Sequence, residues 1–303
     1  MKKIPLEETL GGAYRFLFTN VVSIIGTAWL PFVLLFVLCG GLIYAAVPHE
    51  WLNGNFSQIK TLEQAIALVM PILAIYPVIL LLTLLMTAMV FTGLMRHALE
   101  QKTTPTFVYF SLGAPVWRML GAFVLYYLVM VLLIAVLALL LLLVYLIVYP
   151  QLPQGGGIAL LIVLGIVEFC FYVYAAVRLF FFLPAVVVAE DHIGLGRAWS
   201  LGGGNFWRIV VLLLMTSIPV SFVMQIVLQM TVLPMVASKI VKLQDVLKSG
   251  QPESAQIAQI VHAMLPVLPV LLAIILIERI AIMGLVSGAI GKAYIALTKP
   301  DAK

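Results

Sequence analysis

Six long apolar runs, separated by short polar clusters, set the plan of this chain. They cover about 21–47, 65–95, 118–149, 158–189, 206–237 and 257–297. Each exceeds the ~20 apolar residues with which a helix crosses a ~30 Å hydrocarbon layer. The runs are continuously apolar, whereas barrel strands alternate apolar and polar positions over about ten residues. The pattern therefore predicts an all-α membrane protein with six transmembrane helices. Three shorter pieces, 5–18, 107–117 and 194–201, mix apolar and polar faces and read as short amphipathic helices in the interface plane, each ahead of a helical hairpin. Asn20 and Asn205 stand at N-cap positions ahead of the first and fifth spans. Pro31, Pro71, Pro77, Pro184, Pro219, Pro266 and Pro269 lie in or beside spans, where proline kinks or interrupts a helix.

Composition agrees with this plan. The chain is 64% hydrophobic and 10% charged, against roughly 45–50% and about 25% in soluble domains. Lysine and arginine supply direction. Eleven fall on the side of both termini and the 96–118 and 190–208 corners, four on the other side, and Arg178 and Arg279 lie within spans. Positive residues stay cytoplasmic, so the expected location is a bacterial inner membrane with both termini in the cytoplasm. Glu7, Glu8 and Arg15 interrupt the place of a secretory signal core, so the N-terminus is expected to be retained. The net charge of +5 is spread along the flanks and reads as orientation, not nucleic-acid binding. Cys39 and Cys170 both lie in apolar runs and form no disulfide framework.

Aligning Asn20 with Asn205 places Tyr14 on Trp199 and Phe16 on Leu201. Trp117-Arg118 occupies the matching boundary between them. One polytopic domain, 1–303, is thus expected to be built of three hairpin repeats, about 1–103, 104–192 and 193–303.

Glu168, Arg178, Glu278 and Arg279 are the ionisable groups set deepest in apolar runs, where charge is costly and is paired, faces the interior or is functional. Arg178 lies 12 residues before Glu190, about 18 Å along a continuous helix. Two readings of it stand. It snorkels to phosphate headgroups from an over-long helix, or it pairs across helices with Glu278, which the repeat places at similar depth. Glu168 is either protonated or bonded to Gln225 or Gln229. Arg15, Arg118, Arg197, Trp199, Trp207 and Arg208 cluster at the interfacial pieces and are the expected lipid-contact residues.

The catalytic motifs fail one by one. His97 with Glu100, and Glu190-Asp191-His192, match no zinc pattern. Gly202-Gly203-Gly204 lacks the Lys-Ser/Thr ending of a phosphate loop. The four histidines assemble no nucleophile-base arrangement. No metal, cofactor or enzymatic activity is expected. Gly284 and Gly288 form a G-x-x-x-G pair suited to close helix packing.

The order Arg178, Pro184, Glu190, then 197–201 (RAWSL) and 206–208 (FWR) resembles bacterial membrane domains attached to some glycerophosphoryl diester phosphodiesterases, and related inner-membrane proteins. The resemblance covers about 30 residues strongly and the six-span layout loosely. In those phosphodiesterases the chemistry belongs to a separate soluble barrel, for which six spans in 303 residues leave no room. The resemblance therefore implies a lipid- or partner-binding scaffold or accessory component in envelope or membrane homeostasis and transfers no catalytic residue. Expected partners are membrane lipids, with another membrane protein or a second copy as further candidates. The alternative class is a transporter or channel component with Glu168, Arg178 and Glu278 as a polar path.

Overall fold

A computed structural model describes residues 2–47, 62–101, 107–153, 156–248 and 266–299. The described residues are helical, with helices α1 (Leu6–Thr19), α2 (Val21–Ala46), α3 (Leu62–Ala98), α4 (Ala114–Val148), α5 (Gly156–Phe180), α6 (Leu183–Ala189), α7 (Leu195–Leu201), α8 (Phe206–Lys248) and α9 (Leu268–Thr298). A 3-10 turn, Tyr149–Gln151, follows α4. Six helical segments among the described residues are long and apolar enough to cross a membrane.

Local physics accounts for several differences from the sequence reading. The fourth run is broken at Phe181-Phe182. Pro184 has no N–H, and its ring clashes with the carbonyl four residues back, which is that of Phe180, where α5 ends. Residues 107–113 form no helix, so no interfacial helix precedes α4 there. That segment pairs its backbone with α2 instead: the Tyr109 N–H donates to the Gly26 carbonyl (3.1 Å) and Trp29 Nε1 donates to the Phe107 carbonyl (3.0 Å). The fifth apolar run ends at Ala237, as expected, while helix α8 continues beyond it to Lys248. The expected start of the sixth run, 257–265, lies outside the described residues.

The core occupies one end of the bundle. In α4 the buried positions are Val116, Met119, Leu120, Ala122, Phe123, Tyr126 and Met130. In α9, apart from Ile274, burial begins at Gly284. Phe91, Phe123 and Phe180 meet edge-to-face or stacked at centroid distances of 5.7–6.3 Å, joining α3, α4 and α5. Glycines permit the closest approaches: a Cβ on Gly291 would lie 2.8 Å from the Ala98 carbonyl oxygen, and one on Gly288 3.1 Å from the Ala13 Cα. Gly284 and Gly288 thus serve close packing of α9 on α1, as their spacing predicts.

Away from this end the three hairpins separate. In the outer part of α4 the half-buried positions are Leu133, Leu137, Leu141 and Tyr145, and in α5 Leu160, Leu164 and Glu168; most others are exposed. A stripe with a period of four on each helix is what two helices show when they touch only each other. The remaining apolar surface, including Val131, Leu139 and Ile147, is 58–67% exposed and has the character of a lipid-facing surface. In the first hairpin Cys39 and Leu42 of α2, three apart, and Ile75 and Ile79 of α3, four apart, are half-buried.

Candidate functional site

The polar end gathers 2–5, the ends of all three hairpins and the end of α9. Ile4 is fully buried. Its N–H donates to Asn205 Oδ1 at 3.0 Å, Asn205 Nδ2 donates to the Lys2 carbonyl at 3.3 Å, and Arg208 donates to the Ile4 carbonyl. Lys2 Nζ donates to the Lys299 carbonyl at 3.2 Å, so residues near both ends of the chain meet. Asn205 therefore holds a distant strand of backbone. Asn20 makes no side-chain N-cap bond to α2; it closes α1, its N–H and Nδ2 both donating to the Phe16 carbonyl at 3.1 Å.

The same clasp recurs around the bundle. Asp191 pairs with Arg118 of α4, and a Cβ on Gly121 of α4 would lie 3.1 Å from Ile193 Cδ1. Segment 107–109 is held by α2, as described above. In each case the residues ahead of a hairpin are fastened to the first long helix of the hairpin before it, and the strand 2–4 on α8 closes the circle.

Two carboxylates anchor this end. Glu100 accepts from Lys292 Nζ at 2.9 Å; that hydrogen bond, with the ammonium charge, holds its carboxyl below the ordinary carboxylate range. Glu190 accepts from Arg197 Nε at 3.0 Å and Tyr294 Oη at 2.9 Å. Burial pushes its pKa up, but the hydrogen bonds from Arg197 and Tyr294 and the charges of Arg197 and His192 outweigh it, and the net direction is down. Glu100 and Asp191 adopt positive φ, 63° and 59°, the left-handed conformation that reverses the chain after a helix.

Arg178 lies in the last turn of α5. The break at Phe181 removes the continuous helix on which its 18 Å separation from Glu190 rested. Its guanidinium stacks over the Trp199 ring, 4.0 Å from the centroid, and donates to the Trp199 carbonyl (2.9 Å) and Tyr174 Oη (2.6 Å). The Arg178–Glu278 pair does not form. Glu278 accepts from Ser221 Oγ at 2.6 Å, in the seam between α8 and α9. Glu168 occupies the α4–α5 seam beside Leu133, Leu137 and Tyr172, and no hydrogen bond to Gln225 or Gln229 is present among the described residues. Arg279 is exposed. Glu168, Arg178 and Glu278 lie in separate contacts.

Of the expected lipid-contact residues, Arg15 and Trp207 are exposed, Trp207 by 75%. Trp199 is half-buried under Arg178, while Arg118, Arg197 and Arg208 are engaged in the ion pairs and clasps above. Sequence reasoning missed the structural partners Tyr294, Lys292 and Ile4. Each is a long-range contact with no local signature; the tyrosine and lysine in the last turns of an apolar run are the only local hint. No group of three or more His, Cys, Asp or Glu side chains comes together among the described residues.

A bay of about 880 Å³ opens at this end between α1 and the end of α3, with Arg15, Thr19, His97, Glu100 and Lys292 in its wall. Comparison of the chain with protein-family models, with curated proteins and with solved structures gives no match in any of the three.

Proposed function

We propose that this is a non-enzymatic protein of the bacterial inner membrane, built of three hairpin repeats with both termini in the cytoplasm, that binds lipid headgroups or a membrane partner as a scaffold or accessory component. The observation that carries the reading is the division of the bundle. One end is closed by ion pairs, backbone clasps and a packed core; the hairpins beyond it separate and expose apolar surface on most sides. Such a body is fixed at the headgroup level and mixes with lipid below it. The lysine and arginine excess lies at the closed end, which supports its cytoplasmic placement. The recurring clasp supports the repeat reading, with the short helix of the other two copies absent among the described residues ahead of α4. The resemblance at 178–208 supplies the setting, envelope or membrane homeostasis.

An intramembrane polar path is less well supported, because its three candidate residues do not share a cavity. Native mass spectrometry of the detergent-purified protein tests the lipid reading: bound phospholipid or a partner subunit is expected to survive gentle activation. A bare monomer at every activation energy would refute it. Cysteine introduced at Lys3 and labelled in intact cells and in inverted vesicles tests orientation, with labelling by an impermeant maleimide expected in inverted vesicles alone.

A further inference from the structure

The geometry points to the bay beside α1 as a binding site for a headgroup that carries both a phosphate and a primary amine, the chemistry of phosphoethanolamine. The inference rests on the lipid-binding reading above and narrows it to one place and one chemistry.

The bay's volume, about 880 Å³, falls within the ~300–1,000 Å³ of ordinary ligand pockets. Its wall carries charges of both signs: Glu8 and Arg15 on α1, Glu100 at the end of α3, and Lys292 on α9. Glu100 and Lys292 satisfy each other at 2.9 Å. The side chains of Glu8 and Arg15 make no hydrogen bond or ion pair among the described residues. Seven residues apart, they stand on one face of α1 about 10.5 Å apart along its axis, with Gly11 between them. A Cβ on Gly11 would meet nothing within 4 Å, so the space between the two charges is open.

That balance selects the ligand. A plain anion gains from Arg15 but meets Glu8 and Glu100; a plain cation meets the reverse. A zwitterion satisfies both, its phosphate taking the planar donor fork of Arg15 and its ammonium donating to Glu8. A quaternary amine has no N–H to donate, so a primary amine is preferred. The position suits a lipid source. Phe18, on the same helix, is 72% exposed, and an apolar groove of about 260 Å³ runs along the other flank of α1 beside Leu17, Val223 and Met224. Short helices α1 and α7 pack against α9 and α5, whereas the described residues ahead of α4, 107–113, form no such helix.

The test is native mass spectrometry of the full chain equilibrated with equal amounts of phosphatidylethanolamine, phosphatidylcholine and phosphatidylglycerol, with calorimetric titration of soluble O-phosphoethanolamine. Retention of phosphatidylethanolamine is expected to exceed each of the others about three- to tenfold, the effect of one hydrogen bond weakened by solvent exposure. Arg15→Ala and Glu8→Gln should bring the three lipids to parity. Gly11→Leu should do the same by filling the bay from a position with free space, and Arg279→Ala should leave the preference intact. Equal lipid retention with calorimetric binding that Arg15→Ala abolishes upholds the headgroup chemistry and assigns it to the free compound. A preference that survives both Arg15→Ala and Gly11→Leu overturns the site, as does one for phosphatidylglycerol. Equal retention of all three without calorimetric binding overturns the site but leaves the broader reading standing. Retention of neither lipid nor a partner subunit, with no calorimetric binding, removes both.

Discussion

Arg178 offers the sharpest quantitative test, because the structure gives it a partner, Trp199, that neither sequence reading named. Its guanidinium carbon sits 4.0 Å from the Trp199 ring centroid, inside the ~6 Å range of a cation–π contact, and its half-buried setting places that contact at about 1 kcal/mol. The hydrogen bonds to the Trp199 carbonyl and Tyr174 Oη add about 1.5–3 kcal/mol together after discounting for partial exposure. Arg178→Ala is therefore expected to destabilise by about 2–4 kcal/mol. Trp199→Ala removes the ring but leaves the carbonyl, so a double-mutant cycle isolates the stack: about 1 kcal/mol of coupling for Arg178 with Trp199, and within about 0.3 kcal/mol of zero for Arg178 with Glu278. The assay is reversible denaturant unfolding in one detergent, followed by tryptophan fluorescence for the Glu278 cycle and by circular dichroism for the Trp199 cycle. Coupling to Glu278 larger than that to Trp199 would refute the assignment and restore the cross-helix ion pair.

Three further outcomes are expected. Gly291→Ala should lower stability by about 1–2 kcal/mol, because a methyl 2.8 Å from the Ala98 carbonyl meets backbone that cannot move aside, which outweighs the ~1 kcal/mol by which alanine favours a helix. Gly11→Ala, with open space around it, should be neutral or stabilising; the same shift in thermal midpoint at both sites would defeat the packing argument. Glu190→Gln should cost about 1 kcal/mol at neutral pH. The folded-state pKa of Glu190 is depressed, so its contribution is full above the ordinary carboxylate range and is lost as pH falls through the lowered value. The gap between wild type and Glu190→Gln should then be constant from about pH 8 to pH 6 and close below about pH 4. A gap that widens in acid would contradict this sign.

The six long helices were legible because burial in lipid imposes a continuous apolar run, a constraint written locally in the residues. Close packing at Gly284 and Gly288 was legible for the same reason, since small residues four apart make a smooth helix face. Arg178 was misplaced because depth was counted along one helix. Pro184 carried the signal for a break at Phe180, but proline leaves Pro31, Pro77 and Pro219 inside continuing helices, so residue type alone did not decide. Glu278 was misassigned because charge was matched with charge, while its partner is the neutral hydroxyl of Ser221. Segment 107–113 failed differently. Its mixed polarity resembles an amphipathic turn, yet the backbone satisfies itself on α2, a contact that the local pattern does not encode.

The strand around Ile4 also sets an order of events. Its hydrogen-bond partner Asn205 lies 201 residues away, so at about 5–20 residues per second of synthesis the strand waits about 10–40 s for its receptor to be made. Four spans are by then available for insertion, and each later hairpin can fasten to the one before it as it arrives. The circle closes last, when α8 supplies Asn205 and Arg208. Closure over so long a loop carries an entropic cost, and it is offset only once the third hairpin is made, because α1 packs mainly on α9 and α8. The clasp on Ile4 is thus the last of the circle to form: the packed end acquires its final shape only after the start of α8 has been made.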